Sequence, residues 1–259
     1  MQKATFPLSE GSIRHFLGDR VPPLDIRTFD LIDSTNTEAK RMVREGGPVP
    51  LLIAAAEQSS GRGRMGRSFY SPGETGAYFS ILYRPSVQID SAVTVTCAAS
   101  VAVLRAIRVL TGRTCGIKWV NDLYLDGRKV CGILTEGISI GSDAYVIVGI
   151  GINLSTSFEN TELASLAGSL GVGGITPAQM IAEVTAELLP LLNSPEDRSW
   201  LADYRRYSNV LGCRISFFEK GTAREGIAEM IDGDGALCVR VESGELIRLF
   251  SGEISVKMQ

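Results

Sequence analysis

The sequence predicts a protein whose large first part contains both strands and helices and whose end is a small β-barrel. Its 259 residues, of which 44% are hydrophobic, suffice for one large domain with a sizeable core and one small domain. Apolar, β-prone runs recur between residues 26 and 152, with helical stretches between them. From Cys213 onward the pattern changes to short strands separated by glycine turns, a spacing typical of a barrel of about 50 residues.

The bulk composition narrows the classes of function. A net charge of −3 and an isoelectric point near 5.4 argue against general nucleic-acid binding through a basic surface. The five cysteines are scattered without CxxC spacing, which predicts reduced, mostly buried thiols and neither a disulfide framework nor a zinc site. Residues 1–20 lack a secretory pattern and no window reaches membrane-spanning length, so no membrane partner is expected and the cytoplasm is the expected location.

The first candidate site is the start of the second helix. A short capped helix over residues 9–17 and a strand over Ile26–Ile32 precede it. The helix opens around Ser34-Thr35-Asn36, where Thr35 and Glu38 have capping-box spacing. Taken alone, this motif predicts only a helix cap. The alternative is that its hydroxyls, amides and free N–H groups bind the polar head of a small ligand.

The only histidine in the chain, His15, falls within the first short helix. It is expected to be a surface residue of that helix. A catalytic role is the minor alternative, because no partner motif adjoins it.

A glycine- and arginine-rich loop follows the buried strand expected at Leu51–Ala56. After Gln58, residues 61–67 read GRGRMGR, so three arginines alternate with three glycines. The glycines keep the backbone permissive, and the three guanidinium groups can close round a polyanion. The alternatives are a disordered basic loop and an RGG-like nucleic-acid segment. Because the loop is single, short and flanked by buried strands in an acidic protein, it predicts a phosphate-binding lid.

The strongest local signal is a hairpin. Leu123–Leu125 and Val130–Leu134 are β-prone, and Asp126-Gly127 between them suits a two-residue turn that requires positive φ. The hairpin brings Asn121, Asp122 and Lys129 close together. The alternative is that these are ordinary hairpin residues, with Lys129 a solvated charge.

The remaining elements are expected to form the core and the barrel. A strand over Tyr145–Ile152 ends in Gly149-Ile150-Gly151-Ile152-Asn153, where the glycines allow a ligand close approach, although many such stretches are plain strand ends. The other expected elements are a strand at Ala77–Tyr83, helices at Ser91–Leu110 (apolar on one face), Pro177–Leu192 and Pro195–Tyr207, and barrel strands at Arg214–Glu219, Ala223–Ile231, Ala236–Val241 and Glu245–Phe250.

Together the motifs resemble the biotin protein ligase family over residues 28–256. The matching stretches, in unbroken order, are Ser34-Thr35-Asn36, Gln58 with GRGRMGR, KWVNDLYLDGRKVCGIL from Lys118, GIGIN from Gly149, and Gly252-Glu253-Ile254-Ser255. The resemblance implies an α/β (α+β) chain: a mixed-sheet catalytic domain of the biotin/lipoate ligase type over residues 1–208 and an SH3-like β-barrel over residues 209–259.

The resemblance also implies a two-step reaction. Biotin and ATP with Mg²⁺ give biotinyl-5′-AMP and pyrophosphate, and a lysine of a biotin carboxyl carrier protein domain then takes the biotinyl group. A carboxylate is a poor electrophile, and bringing it to the α-phosphate forces two anions together. Cations must offset that repulsion.

The roles that the resemblance assigns fall into three groups. The catalytic positions are Lys129, Arg64 and Asp122. The biotin-binding positions are Ser34, Thr35, Asn36, Gln58, Gly61, Arg62, Gly63, Arg64, Lys129 and Gly132. The nucleotide-binding positions are Arg62, Arg64, Arg67, Lys118, Asn121 and Asn153. Metal ligands stay unassigned, because Asp122 is equally suited to hold a lysine or a metal ion.

Two positions depart from the family pattern. Val120 replaces the usual proline of KWPND, and Phe69 stands where tryptophan often follows the lid. Only about 27 residues precede the match, so the winged helix-turn-helix of bifunctional members is expected to be absent and no DNA binding is expected. A homodimer is left open.

Two other functions compete with this assignment. A lipoate or octanoate ligase on the same fold predicts an apolar tunnel in place of groups that bind the biotin ureido ring. A non-catalytic sensor predicts the pocket without turnover. Gln58 with GRGRMGR argues against the first, and Lys129 with all three lid arginines argues against the second.

Overall fold

The structure, a computed structural model, describes residues 7–85, 92–194, 196–219 and 221–256. The larger part contains helices α1 (Glu10–Leu17), α2 (Thr35–Arg44), α3 (Ala92–Thr111), α4 (Pro177–Asn193) and α5 (Trp200–Arg206), with strands β1 (Asp25–Ile32), β2 (Leu51–Gln58), β3 (Gly76–Tyr83), β4 (Gly116–Lys118), β5 (Asp122–Leu125), β6 (Arg128–Ile140) and β7 (Asp143–Asn153). The smaller part contains strands β8 (Arg214–Glu219), β9 (Thr222–Ile231), β10 (Leu237–Val241), β11 (Leu246–Leu249) and β12 (Ile254–Val256).

The large sheet is mixed, as predicted. Its strand order is β1-β2-β3-β7-β6-β5-β4, in which β1 and β2 run parallel and the other neighbours are antiparallel. A parallel pair needs a crossover, and α2 supplies it between β1 and β2. This crossover puts the start of α2 beside the end of β2, so two candidate motifs become neighbours.

The hairpin β5–β6 forms as its turn residues predict. Asp126 and Gly127 both have positive φ, 51° and 76°, the backbone that a two-residue turn of this kind requires. Strand β6 then continues far beyond the predicted end and pairs with β7 along its length. In that register Gly132 faces Gly151, so the two glycine-containing stretches lie side by side.

Helix α3 differs from its prediction of one apolar face. It packs against the sheet, α4 and α5, and side chains from Val93 to Ile107 are buried around most of its circumference. The prediction that no window reaches membrane-spanning length is also wrong: α3 is long and apolar enough, with mean hydropathy 1.8, although 72% of that window is buried within the protein. This is the composition of a core helix. Its predicted first residue, Ser91, lies outside the described residues.

The last two helices show how local signals differ in strength. Helix α4 begins as predicted, with a capping box in which Thr176 and Gln179 bond to each other's backbone. Helix α5 begins at Trp200, later than the predicted Pro195, which lies outside the described residues. In the turn before α5, the Asp197 carboxylate accepts a 2.7 Å hydrogen bond from the Ser199 N–H. That bond supports a turn where a longer helix was expected.

The smaller part is the predicted small β domain. Its five described strands form an antiparallel sheet in the order β11-β10-β9-β8-β12, consistent with an SH3-like barrel. The fifth, β12, was not predicted, because three residues are too few to show alternation. Lys220, placed in a predicted turn, lies outside the described residues. The boundary between residues 208 and 209 stays a prediction.

The turn between β9 and β10 docks onto the large domain. The Trp119 indole N–H donates to the Gly235 carbonyl at 3.0 Å, and the Thr94 hydroxyl donates to the Asp234 carbonyl at 2.8 Å. Ile215 and Leu237 of the small domain belong to the same hydrophobic core cluster as α3. The small domain therefore packs against the segment that precedes β5 and helps to hold it in place.

The cysteines are free thiols, and all except the half-buried Cys213 are buried. Burial raises the pKa of Cys97 and of Cys115 to about 12. Burial likewise raises the pKa of Cys131 well above its ordinary value. These thiols are packing groups, as the sequence predicted.

Candidate active site

A cavity of about 440 Å³ lies where the start of α2, the lid loop, the hairpin and the loop before β12 meet. The predicted site residues that line it are Ser34, Thr35, Asn36, Gln58, Arg62, Gly63, Arg64, Arg67, Lys118, Asn121, Asp122, Lys129, Gly132 and Asn153. One predicted site residue, Gly61, does not line the cavity and is buried beside it. An added Cβ there would lie 2.4 Å from the Phe69 carbonyl oxygen, so Gly61 is a packing residue.

The start of α2 forms a polar end of the cavity. Ser34 is the N-cap residue, yet its buried hydroxyl makes no capping bond. The Thr35 N–H donates to Gln58 Oε1 at 2.9 Å. The predicted capping box between Thr35 and Glu38 is therefore wrong: Gln58 supplies the acceptor, and Glu38 pairs with Arg41 instead. The Ser34 hydroxyl, which makes no capping bond, is available to a ligand, whereas the Thr35 hydroxyl lies 2.7 Å from the Ser80 hydroxyl and donates to Gln58 Oε1 at 3.3 Å.

Asn36 is oriented by one buried and one half-buried partner. Its Oδ1 accepts a 2.6 Å hydrogen bond from the Ser80 hydroxyl, and its Nδ2 donates to Glu136 Oε2 at 2.9 Å. Sequence reasoning assigned no role to Ser80 or Glu136. The available signal for Ser80 was the one serine among the aliphatic and aromatic residues of a fully buried strand.

Glu136 forms ion pairs with two cationic side chains, Lys40 and Arg62, beside this polar end. Lys40 Nζ and Arg62 Nη2 lie 2.7 Å and 3.3 Å from the same oxygen, Glu136 Oε1. Burial alone would raise the pKa of Glu136, but hydrogen bonds from Lys40 and Asn36 and the two positive charges outweigh burial and lower the pKa. The carboxylate is therefore charged at neutral pH.

Lys129 lies inside the cavity and is not a solvated hairpin charge. Its ammonium is 2.8 Å from Asp122 Oδ1, close enough for an ion pair but outside hydrogen-bond geometry, so this buried oxygen has no hydrogen-bond partner among the described residues. The Lys129 backbone is held from both sides, by the Leu166 carbonyl at 3.0 Å and the Gly168 N–H at 2.9 Å. Of the two roles left open for Asp122, the geometry favours holding the lysine.

The arginine-rich loop is folded over the cavity, with each arginine bound to a different element. Arg64 Nη1 donates to Asn121 Oδ1 at 3.0 Å, and the Asn121 amide in turn donates to a β6 carbonyl. Arg67 pairs with Glu253 of the small domain at 2.6 Å. Arg62 pairs with Glu136, as described above. The loop has the anchoring of a closed lid, which argues against a disordered basic segment.

Phe69 crosses the glycine-rich floor of the cavity. An added Cβ at Gly151 would lie 2.4 Å from Phe69 Cε1, and one at Gly132 would lie 3.2 Å from Phe69 Cε2. The aromatic ring thus takes the space that both glycines leave. Phe69 therefore keeps an aromatic side chain at the position where the family often has tryptophan.

Part of the cavity lining is apolar, and sequence reasoning missed its side chains. They are Phe158, Leu163 and Leu166. The segment that carries them is attached to the end of β7, because the Asn153 amide donates to the Gly168 carbonyl at 3.0 Å. Asn153 Oδ1 is buried without a hydrogen-bond partner among the described residues. An unpartnered buried acceptor beside apolar side chains suits a flat ring that carries a donor.

The described residues contain no group of three or more His, Cys, Asp or Glu side chains placed to hold a metal ion. Mg²⁺ needs only one or two protein carboxylates when phosphates supply its other ligands. Asp122 Oδ1, which is ion-paired with Lys129 but has no hydrogen-bond partner among the described residues, is compatible with that arrangement. The cavity as a whole suits a ligand with an amide-like head, an anionic centre and a flat ring.

Family models match both parts of the chain. Residues 28–153 match the biotin/lipoate A/B protein ligase family, and residues 212–257 match the biotin protein ligase C-terminal domain. A biotin–[acetyl-CoA-carboxylase] ligase of Paracoccus denitrificans is 31% identical over 83% of this chain and 94% of its own length. A bifunctional ligase/repressor BirA of Bacillus spizizenii is 35% identical over 63% of this chain.

Two further facts bound these similarities. The chain spans about half the length of the Bacillus relative, 51%. Among solved structures, a biotin protein ligase from Aquifex aeolicus in complex with biotin and ATP superposes with a TM-score of 0.77. That likeness covers 91% of this chain and 99% of the other at 23% identity, and it establishes the fold.

Proposed function

Because this chain belongs to the biotin protein ligase family, we propose that it activates biotin with ATP and transfers the biotinyl group to a lysine of a carrier protein. The activated species is biotinyl-5′-AMP, and the acceptor is a biotin carboxyl carrier protein domain. The observation that carries the proposal is the Lys129 ammonium inside a cavity that also holds the three lid arginines. That is where two anions must meet for adenylation.

In the first step, a biotin carboxylate oxygen attacks the α-phosphorus of ATP and pyrophosphate leaves. The polar end at Ser34 and Thr35 suits the ureido ring, since the Ser34 hydroxyl makes no capping bond and can both donate to a ligand and accept from it. The valeryl chain then points the carboxylate toward Lys129. The ammonium offsets the charge that builds where the carboxylate and the α-phosphate come together.

The nucleotide is proposed to occupy the other end. The apolar wall of Phe158, Leu163 and Leu166 suits a purine face, and the unpartnered Asn153 Oδ1 suits its exocyclic amine. Lys118 lies beside this region with its ammonium 5.8 Å from the centre of the Tyr124 ring. When bound with the triphosphate, Mg²⁺ would neutralise phosphate charge, and Asp122 is the side chain suited to contact it.

In the second step, the neutral amine of the carrier lysine attacks the biotinyl carbonyl. An amide bond forms, the carbonyl–phosphate bond breaks, AMP leaves and the amine loses a proton. Lys129 can also stabilise the negative charge that develops on the departing AMP. Until the carrier arrives, the closed lid would keep water from the mixed anhydride.

Transfer of labelled biotin tests the proposal directly. With ATP and a carrier domain present, we expect label on the carrier lysine and release of pyrophosphate, and neither without ATP. Lipoate in place of biotin should release pyrophosphate far more slowly, because an apolar dithiolane cannot hydrogen-bond with the Ser34 hydroxyl, which lines the cavity and makes no capping bond. Faster turnover with lipoate would move the assignment to the lipoate ligases, and binding of biotin without pyrophosphate release would indicate a sensor.

The lid predicts a second result. Replacing Arg64 with alanine removes its 3.0 Å bond to Asn121 and one cation over the cavity. We expect biotinyl-AMP to escape and hydrolyse about tenfold faster, with a smaller effect on its formation. The measurement is the half-life of the intermediate on the enzyme without carrier.

A suitable control is Arg84→Ala. Arg84 pairs with Asp143 on the surface and does not line the cavity. Its removal should leave the half-life unchanged. An unchanged half-life in Arg64→Ala would contradict the role of the lid.

A further inference from the structure

Glu136 does not form the cavity wall, but it contacts two functional segments at once, helix α2 and the lid. Its side chain is 18% exposed. Oε2 accepts from the Asn36 amide at 2.9 Å. Oε1 lies 2.7 Å from Lys40 of α2 and 3.3 Å from Arg62 of the lid.

The two cations depend on this one oxygen. Lys40 and Arg62 carry like charges that repel each other, and only the carboxylate between them makes their proximity favourable. Lys40 is on a helix, whereas Arg62 is on a loop between two glycines. If the negative charge were lost, Arg62 would move away first, because its backbone is the more permissive of the two.

We propose that Glu136 is a positioning residue that latches the Arg62 end of the lid to the substrate-binding start of α2. The latch also connects to the ligand head. The Asn36 amide is held by Glu136 on one side and by Ser80 on the other, so its orientation and the lid position share one carboxylate. A ligand that binds Asn36 therefore favours the lid position that Glu136 holds.

Amide hydrogen exchange of the lid in the ligand-free protein tests the latch. The N–H groups of Gly63, Arg67 and Phe69 are hydrogen-bonded within the closed loop, so their exchange reports its opening. Glu136→Gln keeps the size of the side chain and removes its charge. We expect lid amides to exchange about two- to five-fold faster in this variant.

Lys40→Gln is the matched variant with the opposite expectation. It removes the competing cation and leaves Arg62 alone with Glu136, so lid amides should exchange no faster than in the wild type. A loss of general stability would speed exchange in both variants. The proposal is overturned if Glu136→Gln leaves lid exchange unchanged or if Lys40→Gln also speeds it.

Arg62→Gln keeps the test decisive if Glu136→Gln does not fold. It removes the same ion pair by changing Arg62, whose side chain is half-exposed on the loop. Lid exchange in Arg62→Gln alone should rise about two- to five-fold, and no rise would overturn the latch; where Glu136→Gln does fold, combining the two substitutions should add nothing further. Independent, additive effects of the two substitutions would count against a shared latch.

The consequence for turnover rests on the proposed function. If the protein makes biotinyl-AMP, Glu136→Gln should release it about two- to five-fold sooner than the wild type. Failure of the wild type to form biotinyl-AMP would defeat the proposed function and leave the exchange result intact. Normal retention in Glu136→Gln, despite faster lid exchange, would overturn the coupling to the ligand.

Discussion

Lys129→Ala should slow formation of biotinyl-AMP by about 10²- to 10³-fold while the protein stays folded. In the proposed reaction, the ammonium offsets the repulsion between the biotin carboxylate and the α-phosphate. In the wild type the ammonium lies 2.8 Å from Asp122 Oδ1. Its loss leaves the Asp122 carboxylate as a lone negative charge that faces two incoming anions. Because the lysine side chain is 31% exposed, we expect the free energy of unfolding to change by less than about 1 kcal/mol.

Pyrophosphate release in a single turnover measures this effect, and urea unfolding checks the fold. Lys129→Met is the matched control, since it keeps most of the hydrocarbon stem beside Gly132 and removes only the charge. The methionine variant should be as slow as the alanine variant. A rate within tenfold of the wild type in either variant would exclude Lys129 from the chemistry.

Gly149→Ala should disrupt the polar end of the cavity more than any other single methyl group. The added Cβ would lie 2.0 Å from Asn36 Oδ1, an atom already held by the Ser80 hydroxyl at 2.6 Å. Either Asn36 or the centre of the sheet must move. We expect a loss of about 1–3 kcal/mol in the free energy of unfolding. Biotin affinity should fall about tenfold or more, because displaced buried hydrogen bonds are not replaced.

Gly137→Ala is the matched control on the neighbouring strand. An added Cβ there meets no atom within 4 Å, and the residue pairs with Val146 within the same sheet. Urea unfolding and biotin titration of both variants separate a clash from a general effect of alanine in a strand. Wild-type biotin binding by Gly149→Ala would contradict the assigned role of Asn36.

Local chemistry made several elements predictable. Asp126-Gly127 specifies its hairpin because the turn depends on the backbone preference of two adjacent residues. Thr176 and Gln179 specify the start of α4 for the same kind of reason. Where context outweighed local preference, prediction failed: Thr35 bonds to Gln58 and not to a capping glutamate, and α3 is buried on nearly all sides.

The sequence by itself determined the two-part architecture, the hairpin that carries Lys129 and the stretches that converge on one cavity. Only the tertiary structure decided how those stretches are held. Asn36 and Glu136 are 100 residues apart, and Arg67 and Glu253 are 186 apart. Turns and caps are specified by neighbouring residues, whereas Ser80, Glu136 and Glu253 acquire partners only through the packing of distant segments. No local pattern distinguishes such residues from ordinary strand or surface positions.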